Sequence, residues 1–140
     1  MHWISRTRGW LLAWLIGPLL VACATMDTVK NAPATAGAVS SFNAPYDKVT
    51  AATFESLRGL RVEISSSNEQ PEGLVILVSK SMTAFSYGEI GRITVERSQG
   101  ATTNVRVVWE KRDQVQITGT SQQEFSKDLF AGIQTALTRL

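Results

Sequence analysis

Few residues in this chain have the type and spacing to do chemistry. Its single histidine is His2 and its single cysteine is Cys23. One cysteine makes no internal disulfide and holds no cysteine-rich zinc or iron–sulfur site within the chain. Serine nucleophiles need a base. With His2 in a segment expected to be removed, only the adjacent pairs Lys80-Ser81 and Ser126-Lys127 remain, and adjacency alone supplies no geometry. Glu69, Glu72, Glu89 and Asp113 are the carboxylates that could pair for acid–base work or bind calcium. Glu69 and Glu72, however, fall in a hydrophilic connection that reads as solvated turn. Gly88-Glu89-Ile90-Gly91 is too short for a phosphate-cradling loop and has no following lysine, so its glycines read as a bend or bulge. The sequence therefore points to no catalytic, cofactor or metal site, and to a protein that is not an enzyme.

Cys23 stands apart because of what precedes it. Met1 to Gly9 is a short basic head, followed by the apolar run Trp10 to Ile16, then Gly17-Pro18 and Leu19 to Ala22. The 18 uncharged residues between Arg8 and Asp27 are at the lower limit for a spanning helix, and the Gly-Pro pair interrupts it. The pattern is that of an export signal, with a retained N-terminal anchor as the alternative. Trp3, Trp10 and Trp14 belong to this leader. Its end, Leu20-Val21-Ala22-Cys23, resembles the lipobox of bacterial lipoproteins. That resemblance implies diacylglyceryl transfer to the Cys23 sulfur, cleavage after Ala22 and acylation of the new amino terminus. A buried structural cysteine is the competing reading. More than one acyl chain gives durable anchoring. Ala24, where an Asp would retain an inner-membrane protein by resemblance to bacterial sorting patterns, favours the outer membrane, with the domain facing the periplasm.

Removing residues 1–22 leaves 12 basic and 12 acidic side chains. A neutral chain lacks the concentrated basic surface that phosphate binding needs, so no nucleic-acid partner is expected. Residues 23–44 read as the acylated cysteine and a flexible tether. From Ala24 to Ala44, 13 of 21 residues are Ala, Thr, Ser, Gly or Pro, and the large apolar residues show no period. Fully extended, it would reach roughly 70 Å at about 3.3 Å per residue.

The domain should occupy residues 45–140. Tyr46, Val49, Thr53, Leu57 and Leu60 give a helical stripe over Pro45–Arg58, with Asn43 as its cap. Leu60, Val62 and Ile64 alternate as a first strand, and Ser66–Gly73 reads as a connection. Leu74–Val78 is apolar on both faces, with an extension through Met82 and Phe85. Ile90–Arg97 and Thr103–Lys111 follow, with Val115–Ile117 as a candidate fifth strand. Ser121-Gln122-Gln123-Glu124 is a capping box opening a helix striped by Phe125, Leu129, Ile133 and Leu137. Gly132 there costs about 1 kcal/mol against alanine, which a close contact would justify. These elements predict an α+β two-layer sandwich: an antiparallel sheet of four or five strands with two helices on one face.

The series Tyr46–Leu57, Gly73-Leu74-Val75, Gly91-Arg92-Ile93-Thr94-Val95, Thr103-Asn104-Val105-Arg106-Val107 and Phe125–Leu140 resembles a family of small bacterial lipoproteins of uncharacterised function, with a helix–strands–helix domain after the lipobox. Glu110–Asp113 and Val115–Ile117 depart from its usual turn before the last helix. The resemblance implies a fold and no catalytic residues. The expected function is a lipid-anchored envelope accessory or protein-interaction module. Its alternative is a binding protein for a small apolar ligand, lipid or cell-wall fragment, with Val75, Leu77, Phe85 and Val108 as spare apolar surface. An enzyme is the distant third. Tyr87, Arg92, Arg97, Arg106 and Val108 are the expected interaction surface on the sheet's outer face, where the arginines either meet an acidic partner or pair with neighbouring glutamates.

Overall fold

Alternation in the middle of the chain and three-and-four spacing at its ends dictate a sheet with helices across it. A computed structural model describes residues 23–140; the expected leader lies outside the described residues. The elements are α1 (Met26–Lys30), β1 (Ala38–Phe42), α2 (Tyr46–Gly59), β2 (Glu63–Gln70), β3 (Gly73–Lys80), β4 (Glu89–Glu96), β5 (Thr103–Lys111) and α3 (Gln122–Leu137). The strands form one antiparallel sheet in the order β1-β5-β4-β3-β2. The expected α+β sandwich is what the chain adopts.

Register explains the burial. Ile93 lies between Ile76 and Val107, so alternate residues of three neighbouring strands point to one face. There Leu74, Val78, Val95 and Val105 pack with Val49, Ala52 and Leu57 of α2 and Phe125, Leu129 and Ile133 of α3. Each fully buried aliphatic side chain contributes about 1.5–3 kcal/mol. Gly91 leaves room for Trp109, which stacks on Phe125 with ring centroids 3.7 Å apart. At α3, the Ser121 hydroxyl accepts from the Glu124 amide at 3.2 Å and Glu124 Oε2 accepts from the Ser121 amide at 3.0 Å. The helices meet closely at Gly132: a Cβ there would lie 2.1 Å from Ser56 Oγ. That hydroxyl donates to the Leu129 carbonyl at 3.0 Å. The close contact inferred for Gly132 is present.

Several expectations are corrected. The Ala24–Ala44 stretch, read as a tether, contains α1 and the edge strand β1. Backbone pairing with β5 from Ala38↔Val107 to Phe42↔Thr103 orders β1 without an apolar pattern, and buried Phe42 meets Phe130 edge-on. The fifth strand is therefore β1, while Val115–Ile117 lies in a loop. The first strand of the domain proper begins at Glu63, because Leu60 closes α2 and Arg61 turns the chain at φ 54°. The polar run after Ile64 continues as β2, with Pro71-Glu72 as the hairpin turn between Gln70 and Gly73. β3 ends at Lys80, and Met82 and Phe85 are exposed in the following loop. The cap of α2 is Pro45, whereas the Asn43 carboxamide accepts from Thr102 Oγ1 at 3.3 Å.

Gly132→Ala regains about 1 kcal/mol of helix propensity. It also pushes Ser56 off the Leu129 carbonyl, and overpacking typically costs about 1–3 kcal/mol. A net loss is expected, read as a lower urea midpoint at unchanged slope; an equal or higher midpoint would contradict this account of the helix contact. A second prediction concerns Glu124. The Ser121 amide, then the Ser121 hydroxyl, hold its carboxyl below the ordinary range, with burial opposing and Lys111 adding to the shift. A lowered folded value means support that is present above the ordinary carboxyl range and lost as pH falls through the folded value. Thermal unfolding should show wild type ahead of Glu124→Gln at neutral pH, with the gap closing in acid. A gap independent of pH would rule this out.

Candidate functional site

The face of the sheet away from α2 and α3 is covered at one end only. Val29 of α1, fully buried, sits with Ala24, Ile90 and Val108 in a small second core, with Met26, Ala32 and Ala36 packed around it. A five-residue helix is not stable alone in water, so this contact is what holds it. Arg92 completes the attachment. Its Nη1 donates to the carbonyls of Lys30 at 3.0 Å and Ala32 at 2.8 Å, and its Nη2 donates to Pro33 at 3.2 Å. These carbonyls lie at and just beyond the C-terminal end of α1, where the backbone presents unsatisfied acceptors and partial negative charge. Burial, and then the charge of Arg106, push the Arg92 guanidinium below its ordinary range. It nevertheless stays cationic, as arginine does in proteins.

Beyond this segment the outer face opens into a groove of about 540 Å³. Val75 and Leu77 of β3 contribute apolar lining, and Asn68, Gln70, Arg97 and Arg106 are among its polar groups. The charged groups are largely engaged. Arg106 Nε donates to Glu96 at 2.7 Å, a diagonal pair across β4 and β5. Arg97 binds Glu69 and lies 4.2 Å over the Tyr46 ring, whose hydroxyl donates to Glu69 at 2.7 Å. Burial, then the Glu69 hydrogen bond and charge, raise the Tyr46 pKa above the usual phenol value. The groove therefore offers an apolar surface between cross-linked polar walls, suited to an amphipathic ligand or an extended segment.

The fold brings three of the expected interaction residues together: Arg92, Arg97 and Arg106 line the groove, whereas Tyr87 is exposed at the end of the sheet. Arg92, 9 % exposed, and Val108, 4 % exposed, lie under the N-terminal segment, correcting their placement on an open surface. Their burial follows from the unanticipated α1. The space between helices and sheet is filled by the main core, and the groove, with Val75 and Leu77 from the expected spare apolar surface, lies on the opposite side.

The residues considered for catalysis are dispersed. Lys80 Nζ donates to Thr120 Oγ1 at 3.3 Å. Ser126 is buried on α3 with its hydroxyl unpartnered, whereas Lys127 is exposed. Asp113 accepts from the Val115 amide at 2.9 Å, Glu72 sits exposed in the hairpin turn, and buried Glu89 accepts from the Thr120 amide at 2.9 Å. Among the described residues no group of three or more His, Cys, Asp or Glu side chains could hold a metal. No helix among them is long and apolar enough to cross a membrane. Cys23 is exposed, and the Ala24 amide beside it donates to the Arg112 carbonyl at 2.9 Å. The chain matches no protein-family model and no curated protein.

Arg92→Met, which keeps most of the stem while removing the donors, tests the attachment of the N-terminal segment. The main core should stay folded while trypsin cuts after Lys30 at least about tenfold faster, as expected for loss of charged hydrogen bonds worth about 1.5–3 kcal/mol. Unchanged cleavage would show that the small apolar core suffices without Arg92.

Proposed function

We propose that this chain is a lipid-anchored, periplasm-facing module of the bacterial cell envelope that works by binding a protein partner, without catalysis. The observation that carries the reading is an exposed Cys23 at the end of a lipobox-like sequence, immediately before the first residue packed into the domain. The sulfur is accessible for acyl transfer, and no core contact competes with it. Ala24 after the cysteine favours the outer membrane as the destination. Support for a binding role comes from the groove, whose arginines are held by Glu69, Glu96 and backbone carbonyls and so serve as fixed walls. Arg97, Arg106 and the Val75–Leu77 surface form the partner-binding face on this reading.

The same groove favours a second reading, as a site for a small amphipathic lipid or cell-wall fragment. Its volume of about 540 Å³ is within the range of small-molecule sites, about 300–1,000 Å³. Crosslinking from Arg97 or Arg106 positions in intact cells separates the two, since one product is a defined protein and the other a low-mass adduct.

The anchor is tested by Cys23→Ser. The variant should lose acyl incorporation entirely and leave the mature membrane-bound pool, appearing with an uncleaved leader or as released protein. Its domain should unfold at the wild-type urea midpoint, because exposed Cys23 supports neither core. Acyl labelling equal to wild type in the serine variant would refute lipidation at this position.

A further inference from the structure

We propose that the two loops at the Cys23 end of the sheet form a membrane-docking tip that inserts into the lipid interface beside the anchor. The proposal rests on the lipid-anchored reading for its geometry, and the loops themselves carry the rest. Residues 81–88 and 112–120 present Met82, Phe85, Tyr87, Val115 and Ile117, all exposed, with Phe85 at 81 % and Ile117 at 96 %. Five large apolar side chains clustered at one end are far from the single scattered ones that any surface carries.

The loops behave as one body. The Tyr87 amide donates to Gln116 Oε1 at 2.9 Å, Gln116 Nε2 donates to Ser86 Oγ at 2.8 Å, and Thr118 Oγ1 donates to the Phe85 carbonyl. The base is fastened to the sheet through Thr120, whose amide donates to Glu89 and whose carbonyl accepts from Trp109 Nε1 at 3.0 Å. Gly119 takes φ +94° there, and a Cβ would lie 2.2 Å from Glu89 Oε1. The apolar residues are thus held out on a braced frame, and several loop backbone groups are bonded within the protein. That internal bonding lowers the cost of moving peptide groups toward lipid.

Position and charge select the occupant. The Ala24 amide bonds Arg112, and the Arg112 amide bonds the Gly88 carbonyl at 3.1 Å, so the cysteine and both loops converge at the same end. Acyl chains on Cys23 would bring these loops to the bilayer first. The two loops contain one cation, Arg112, and one anion, Asp113. This near-neutral, aromatic-containing tip suits a zwitterionic headgroup layer rather than an acidic protein, with Tyr87 able to keep its hydroxyl among headgroups.

The test uses mature protein in phosphatidylethanolamine–phosphatidylcholine vesicles containing brominated acyl chains. Ile117→Trp reports the tip, and Ala101→Trp reports the β4–β5 turn at the opposite end; buried Trp109 is a common background. Mass spectrometry reads acylation of each sample separately. Insertion about 5–10 Å into the interface predicts that the Ile117→Trp emission falls by at least about half, more with shallow than with deep bromines, while Ala101→Trp is unaffected. Acylated protein showing no quenching at residue 117 overturns the docking tip and leaves the anchor standing. If Cys23 proves unacylated, the anchor reading fails. The loops are then judged by the same quenching after adding the protein to vesicles, where its presence supports the tip and its absence overturns it.

Discussion

The grip of Arg92 on three backbone carbonyls is the interaction on which the arrangement of this protein depends. It takes a segment with too few apolar residues to fold by itself and fixes it across a sheet face. Val29 adds the apolar half of the attachment by filling the space between Ile90 and Val108. Guanidinium suits the task because its fork presents several fixed donors, so one side chain satisfies the acceptors of a helix end and the turn after it. The consequence reaches Cys23, which becomes the first residue outside a folded body rather than the start of a long leash.

The two faces of the sheet obey different rules. On the helix side, burial is continuous and apolar, and specificity comes from close fits such as Gly132 against Ser56 and Gly91 beneath Trp109. On the other side, a small apolar core, charged hydrogen bonds and cross-strand ion pairs share the work, leaving the Val75–Leu77 groove open. Loosening the second face should release the N-terminal segment without dissolving the first, because the main core includes no residue of α1.

How much of this was legible in the sequence follows from the same division. Helices with apolar stripes, the capping box at Ser121 and alternating strands β4 and β5 announce themselves through side-chain period. The α+β class follows from them. β1 and β2 do not, since edge strands are ordered by backbone pairing while their side chains stay polar; Ser66 to Gln70 reads as a turn until β3 is beside it. Alternation correctly placed Arg92 opposite the main core, but the inference that the outer face is wet failed at the Arg92–Val108 end, where a distant, low-complexity segment covers it. Only the pairing of residues 60 apart in sequence, Arg92 with Ala32, reveals this. The role proposed for Cys23 rests on a local signal, carried by the residues immediately before it. The apolar loop tip was obscured by its resemblance to strand, with Val115 and Ile117 alternating as a buried edge would.

The central claim is that Cys23, the proposed anchor point, is fused to the domain, and neutron reflectometry of protein acylated at Cys23 on a supported bilayer measures it most directly. A folded N-terminal segment predicts protein density beginning at the headgroups, with no intervening hydrated layer. A flexible chain of 21 residues would instead hold the domain at an r.m.s. distance of roughly 25 Å, from about 5–6 Å multiplied by the square root of its length. A water-rich gap of that order between headgroups and domain would contradict the account.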